Sequence, residues 1–342
     1  MERPCVVVPR ESGEQARQRL AEAGLVDQEF GIVVAEGEAD DAAEEKLFIP
    51  VTDPDAVPSE FTVTRNDVPA RTPQRTPADV FGGELSYERL GDIVIIDEDD
   101  PERAEEMAAA VMASDIPARS VINRASKVKG ETRVRDWEVL ADETEDDRSP
   151  TETVHREYGH AFAVDVAEVY FSPRLATERH RVVQQVEPGE QVVDMFAGVG
   201  PYAIPMADAG AEVVACDINP TAIEYLEANA ARNDVADRIT THAGDVRELT
   251  DEYEDWADRL VMNLPHTAAA FADAAVAFAG DSCVVHLYDI QHEDGPFERA
   301  RTALEDAAGE AYEVTVLEKQ VVRSYAPHEL NVCLDARLDR VG

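Results

Sequence analysis

Lysine is almost missing from this 342-residue chain. Lys46, Lys127, Lys129 and Lys319 are the only four, so arginine supplies nearly all of the 31 basic residues. Against them stand 72 acids, for a formal charge of −41. Such a balance argues against binding a polyanion through bulk charge; any such partner has to be met by local arginine clusters. The acids are dispersed, with runs at Asp97-Glu98-Asp99-Asp100 and Asp142 to Asp147. Few lysines and many dispersed acids suit a halophilic cytosol, where at about 1 M salt the Debye length is only ~3 Å and an acidic surface is screened. Cysteine is scarce too. Cys5, Cys216, Cys283 and Cys333 share no metal-ligand spacing and no disulfide framework, so no metal is expected. No apolar run approaches the roughly 20 residues that a helix needs to cross a bilayer, and no charged-then-apolar leader is seen. The expectation is a cytoplasmic protein of two or three domains, away from the membrane. No heptad pattern is legible, and a monomer is expected.

What the chain does have is one stretch around which the rest is arranged, Val192-Val193-Asp194-Met195-Phe196-Ala197-Gly198-Val199-Gly200-Pro201. It reads as a buried strand, a glycine turn and a helix start. Glycine lets backbone approach a ligand closely, and Pro201 suits a first helical turn. A second strand ends in Cys216-Asp217-Ile218-Asn219-Pro220. Asp217 stands where a carboxylate takes ribose hydroxyls in a nucleotide-binding βαβ unit. The spacing is not G-x-G-x-x-G, however, and Asp194 ahead of the loop would repel a pyrophosphate. A cofactor with an adenosine and a cationic sulfonium fits better, with Asp194 near its amino-acid end. That is S-adenosylmethionine.

The chain divides, on this reading, into a small α/β module at 1–52, a proline-rich linker at 53–84, an α+β module at 85–166 and a cofactor domain at 167–342. In the first, strands are expected at Cys5–Pro9, 31–34 and 46–51, with a helix at Glu14–Ala23. Arg65, Arg71 and Arg75 make the linker locally basic. In the third, a β run at 90–96, a helix at 102–112 and a strand at 120–124 lead to Lys127, Lys129, Arg133 and Arg135, a basic segment suited to RNA or substrate. A hairpin turning at Tyr158-Gly159 closes the module. From residue 191 onward strand and helix alternate. That is the rhythm of a doubly wound, Rossmann-type parallel sheet, ending in an antiparallel hairpin built from 312–321 and 330–338.

Ligands in such sheets bind at the carboxyl ends of the strands. Four candidates stand there in order: the Gly198/Gly200 loop, Asp217, Asp245 and Asn263. Asp245 can accept from an adenine amine, and Ile218 and Val246 accompany the two acids in the cofactor site. Asn263-Leu264-Pro265 stands where amino-methyltransferases orient an acceptor nitrogen. Ser172 is expected to cap a helix beginning at Pro173, bringing Glu178 and Arg179 toward the mouth of the site.

The segment Val169 to Arg179, the loop Asp194 to Pro201 and Asn263-Leu264-Pro265 resemble the archaeal and eukaryotic tRNA (guanine-37-N1) methyltransferases. The resemblance covers roughly residues 85–340; the module at 1–52 looks like the extra N-terminal domain of archaeal members, which meets the outer corner of the tRNA. It implies methyl transfer from S-adenosylmethionine to N1 of guanosine 37, with tRNA as partner. The acceptor chemistry agrees. N1 of guanine carries a proton that a carboxylate must remove, and charge then develops on O6, where an arginine stabilises it. The resemblance makes Glu178 the base, in its Ser-x-x-Leu-x-x-Glu-Arg setting, and takes Arg179 to the cofactor. Arg133 is the expected O6 donor with Arg135 as its competitor. Asn263 holds the guanine edge, Pro265 shapes the pocket and Tyr170 packs near the base. The target base must leave its stack to react.

Three other readings share parts of this pattern. One is an aminocarboxypropyl transferase, or a methyltransferase, acting on the wyosine precursor at position 37. Another is a non-catalytic tRNA-binding protein, against which the intact Gly198/Asp217/Asp245/Asn263 set argues. The third is a methyltransferase for protein or small molecules.

Overall fold

The computed structural model describes residues 2–9, 12–35, 46–71, 74–127, 130, 132–144 and 148–342, and it falls into two compact units, 1–74 and 75–342. Lys129 and Glu145 to Asp147 lie outside the described residues.

In the first unit, β1 (Glu2–Pro9), β2 (Val33–Ala35), β3 (Lys46–Pro50) and β4 (Thr62–Asp67) form an antiparallel sheet in the order β2-β3-β1-β4. Helix α1 (Gly13–Glu22) lays Ala16 and Leu20 against Val6, Val8 and Ile49. The segment 53–84 is therefore not a linker. Its residues 62–67 read Thr-Val-Thr-Arg-Asn-Asp and pair with β1 from Glu2↔Asp67 to Val7↔Thr62. The prolines flank that strand rather than interrupt it, as the missing N–H of proline requires.

The second unit begins with α2 (Pro77–Phe81), whose N-cap Thr76 forms a reciprocal capping box with Asp79. Then β5 (Glu88–Leu90), β6 (Ile93–Ile96), β7 (Ser120–Arg124) and β8 (Trp137–Asp142) make a four-stranded sheet in sequence order. The β run at 90–96 is split by a tight turn at Gly91-Asp92, where Gly91 takes φ 56° and a Cβ would stand 2.2 Å from Thr153 Oγ1. Helix α3 (Pro101–Met112) starts on Asp100, which accepts from the Arg103 amide, and covers β6 and β7 with Ala104, Met107, Ala108 and Val111.

The hairpin β9 (Glu152–Glu157) and β10 (His160–Asp165) turns at Tyr158-Gly159, both at positive φ. It is tied to both neighbours: Thr153 bonds Asp92 of the preceding module, and β10 bonds the following domain. Asn229 and Asn233, one turn apart on α6 (Pro220–Arg232) and its C-cap, each bond both backbone groups of a β10 residue, Ala163 and Ala161. Two side-chain amides thus replace a neighbouring strand at the hairpin edge.

The main sheet holds β11 (Gln191–Asp194), β12 (Glu212–Asp217), β13 (Ile239–Ala243), β14 (Ala257–Met262), β15 (Ala279–His292), β16 (Tyr312–Ala326) and β17 (Glu329–Arg340) in the order β13-β12-β11-β14-β15-β17-β16. The first five are parallel; β17 runs antiparallel between β15 and the edge strand β16. Helices α4 (Ala176–Val183), α5 (Ala203–Asp208), α6, α7 (Ala272–Phe278) and α8 (Glu298–Ala308) cover its faces. Between β13 and β14, where the strand–helix alternation predicts a helix, stands a single 3-10 turn, Val246–Leu249. Among the described residues no helix is long and apolar enough to cross a membrane.

Candidate active site

The order reverses between β11 and β14, and a cavity of about 650 Å³ opens at the carboxyl ends of the strands there. The β11 loop forms its floor from Met195 to Gly198. Gly198 takes φ 54° and lines the cavity, and its amide donates to Asp217 Oδ2 at 2.8 Å. The other carboxylate oxygen of Asp217 accepts from the Asn219 amide at 2.9 Å. Burial nonetheless pushes the Asp217 carboxyl above its ordinary range. Ile218 is exposed beside it, and Asp245 and Val246 enter from the end of β13. Asp245 accepts from the guanidinium and the backbone of Arg247, which hold its carboxyl below the usual range.

Two of the expected cofactor residues stand back from the cavity. Asp194 is fully buried beneath the loop and does not line the cavity. Burial pushes it up to about 7; the Phe196 and Ala203 amides face its carboxylate, yet neither oxygen closes a hydrogen bond. Gly200 also stands off the cavity. A Cβ there would meet Ile204 Cδ1 at 2.8 Å and Leu226 Cγ at 3.2 Å, so its glycine serves packing.

On the other side of the cavity, Asn263, Leu264 and Pro265 follow β14. The Asn263 side chain has no hydrogen-bond partner among the described residues, so its amide is free for a ligand. Arg133, at φ 57°, reaches across from the segment before β8. Its Nη1 donates to the Pro265 carbonyl at 3.0 Å, and its guanidinium lies over the Tyr170 ring, 5.4 Å from the centroid. Arg135 does not line the cavity; it stands over the Trp137 ring instead. Lys127 is exposed and also off the cavity. Backbone geometry separates the two arginines: the left-handed residue at 133 turns its side chain inward, a feature alternation cannot reveal.

Glu178 and Arg179 part company. Arg179 lines the cavity, clamped by Glu157 at 2.7 and 2.6 Å and by the Ser172 carbonyl at 3.1 Å. Ser172 stands at the start of a 3-10 turn, Pro173–Leu175, that precedes α4, and makes no side-chain cap. Glu178 faces inward, not to the cavity mouth. Arg181 grips both its oxygens at 2.8 and 2.9 Å, and the Tyr288 hydroxyl donates to Oε1 at 2.9 Å. Arg181 also reaches Asp335 at 2.6 Å, and Asp335 accepts from His286 Nδ1 at 2.8 Å. These contacts hold the Asp335 carboxyl far below its ordinary range against the pull of burial. Arg259 donates to the other His286 ring nitrogen at 2.8 Å, so the buried His286, Cys333 and Asp335 form part of an ion network.

Nothing in the linear pattern pointed to the fourth wall. Ile290, Arg323, Tyr325 and Asn331 come from β15, β16 and β17. The run Arg323-Ser-Tyr-Ala-Pro-His328 reads only as a hairpin end, and only strand insertion carries it to the cavity.

Known families match the chain in three stretches: the TRM5/TYW2 methyltransferase domain at 153–317, the TYW2 N-terminal domain at 82–145 and the tRNA methyltransferase 5 N-terminal domain at 5–58. The chain is 37% identical to the tRNA (guanine(37)-N(1))-methyltransferase Trm5b of Pyrococcus abyssi over 98% of each chain. It is similar at TM-score 0.69 and 32% identity to aTrm5 in its complex structure with tRNALeu, covering 98% of this chain and 99% of that one. A tRNA(Phe) (4-demethylwyosine(37)-C(7)) aminocarboxypropyltransferase of Pyrococcus horikoshii is 32% identical over 73% of this chain and 88% of its own.

Proposed function

The chain belongs to the TRM5/TYW2 methyltransferase family, and on that premise we propose that it methylates N1 of guanosine 37 in tRNA. The observation that carries this is the Arg133–Pro265 contact, which sets an O6 donor beside the acceptor loop in the same cavity as Gly198, Asp217 and Asp245. The full-length match favours methyl transfer; the aminocarboxypropyltransferase is a partial relative that spans 73% of the chain.

The cavity suits S-adenosylmethionine, which supplies an electrophilic methyl group when bound. Asp217, half satisfied by backbone amides, keeps oxygen lone pairs for ribose hydroxyls. Asp245 would accept from the adenine amine, and Ile218 and Val246, which also line the cavity, would pack on the ring. Asn263 holds the guanine edge and Tyr170 packs on it. Arg133 stabilises charge on O6. For Glu178 to take the N1 proton, Arg181 must release it and the carboxylate must turn toward the cavity; Asp335 and Glu318, already bonded to Arg181 at 2.6 and 3.0 Å, offer that guanidinium a place to stay. The enzyme works as a monomer in the cytoplasm, its first unit meeting the tRNA outer corner.

The test is transfer of labelled methyl from S-adenosylmethionine to unmodified tRNA transcripts in high potassium salt. Label at N1 of guanosine 37, absent with adenosine 37, is expected. Alkylation of a wyosine precursor without methyl label would overturn the reading.

A further inference from the structure

Four guanidinia line the cavity. Arg179 is held by Glu157 and Arg247 by Asp245, while Arg133 donates to the Pro265 carbonyl. Arg323 has not even a carbonyl. It is half-buried on β16, lines the cavity and has no carboxylate or hydrogen-bond partner among the described residues; its Nε is buried and unsatisfied. Directly across the ladder is Asn331, only 5% exposed, whose Oδ1 is also buried without a partner. Arg174 stands close enough that the Arg323 charge adds to burial in depressing its proton affinity. The carboxylate that Arg174 holds, Glu88, is shared with Arg124. In a chain of charge −41, two neighbouring cations, one without an acid and one sharing its acid, are a site waiting for an anion.

Two anions of the reaction qualify: the methionine carboxylate of the cofactor and a phosphate of the RNA. Strand order separates them. The cofactor loops hang from β11, β12 and β13, whereas β16 is the sheet edge beyond β14, β15 and β17. At about 4.8 Å per strand, β16 lies roughly 19 Å from β11. Tyr325, exposed at the rim two residues on, adds an aromatic face there.

We propose that Arg323, with Arg174 beside it, seats a phosphate flanking the target nucleotide, and that the Asn331 amide oxygen accepts from that nucleotide's ribose 2′-hydroxyl. This rests on the tRNA reading above. The seat would fix the backbone of the extruded nucleotide while Arg133 and Asn263 read its base.

The experiment compares wild type with Arg323→Gln. Affinity for the tRNA transcript is measured by anisotropy across potassium chloride concentrations, affinity for S-adenosylmethionine by calorimetry. The variant should bind tRNA about tenfold more weakly, with the slope of log K against log salt reduced by ~0.7 to 1, and its cofactor affinity unchanged. A neutral methylphosphonate placed at each phosphate flanking position 37 in turn should weaken wild type similarly at one of them and add nothing in the variant. A 2′-deoxyguanosine at 37 should likewise cost wild type but not Asn331→Ala. Loss of cofactor affinity with an unchanged salt slope, or additive losses with the methylphosphonate, would overturn the proposal. Absence of methyl transfer by wild type would instead sink the tRNA methylation reading, and the binding slopes would still judge the seat. Should Arg323→Gln not fold, Arg174→Gln on the exposed rim carries the same slope test.

Discussion

The Tyr288 hydroxyl donates to Glu178 Oε1 at 2.9 Å, and the Tyr202 hydroxyl donates in turn to Tyr288 at 2.8 Å. Glu178 is thereby tied to β15 and to the turn after the glycine loop, not merely to its own helix. Glu178→Gln is expected to lower kcat about 10²-fold or more, as general-base losses do. Tyr288→Phe keeps the shape and removes the donor; roughly a tenfold fall in kcat with unchanged KM for tRNA is expected, the scale of one lost hydrogen bond to a charged group. Single-turnover methyl transfer checks both, and an unaffected Glu178→Gln enzyme would remove the base assignment.

Arg133 and Arg135 are two residues apart and stand in different surroundings. Arg133→Gln should cost about 10² to 10³ in kcat, the scale of one lost oxyanion donor. Arg135→Gln removes a half-buried guanidinium that stands over Trp137 and does not line the cavity, and should cost clearly less than Arg133→Gln. Equal losses in steady-state kinetics would reject the distinction.

The two loop glycines should fail differently. Gly198→Ala forces a side chain into φ 54°, at about 1 kcal/mol, and places its methyl in the cavity, weakening S-adenosylmethionine binding. Gly200→Ala adds overlap with Ile204 to its φ of 92°, for about 2 to 4 kcal/mol of stability. Urea unfolding and calorimetry separate the two effects.

Asp194 gives a pH signature. Its folded-state value, pushed up to about 7 by burial, exceeds the unfolded value near 3.9, so the folded protein keeps a proton that the unfolded chain loses. Wild-type stability is therefore eroded by this group as pH rises from about 4 to 7, and the erosion is complete above that. Asp194→Asn should gain stability relative to wild type over that window, with a flat difference above it. Urea midpoints across the acidic-to-neutral range measure it; a difference independent of pH would contradict the assignment.

Much of the architecture was legible because it is local. Strand and helix alternate after residue 191 with apolar runs and caps that need no tertiary help. Pro220 behind Asn219 starts α6 where the cap chemistry places it, and the Tyr158-Gly159 turn fixes its hairpin. The Thr62–Asp67 strand was not legible. Short and polar, between prolines, it becomes a strand only because β1 has an unpaired edge to satisfy.

Residues read in order are enough for the cofactor loop, for the succession of ligand-bearing strand ends and for the family that they resemble. These depend on particular residue types at short spacings: glycine at positive φ, acids at strand ends, Asn-Leu-Pro after β14. The direction in which each side chain faces came from packing in three dimensions. Packing turned Glu178 into an ion network and Arg179 to the cavity, although the two are adjacent, since successive residues on a helix point about 100° apart. It also brought Arg323 and Asn331 to the site from the far end of the chain, because β17 inserts between β15 and β16. The β16–β17 hairpin is local, but the pairing of β17 with β15 is not, and no local pattern announces which hairpin strand enters the sheet.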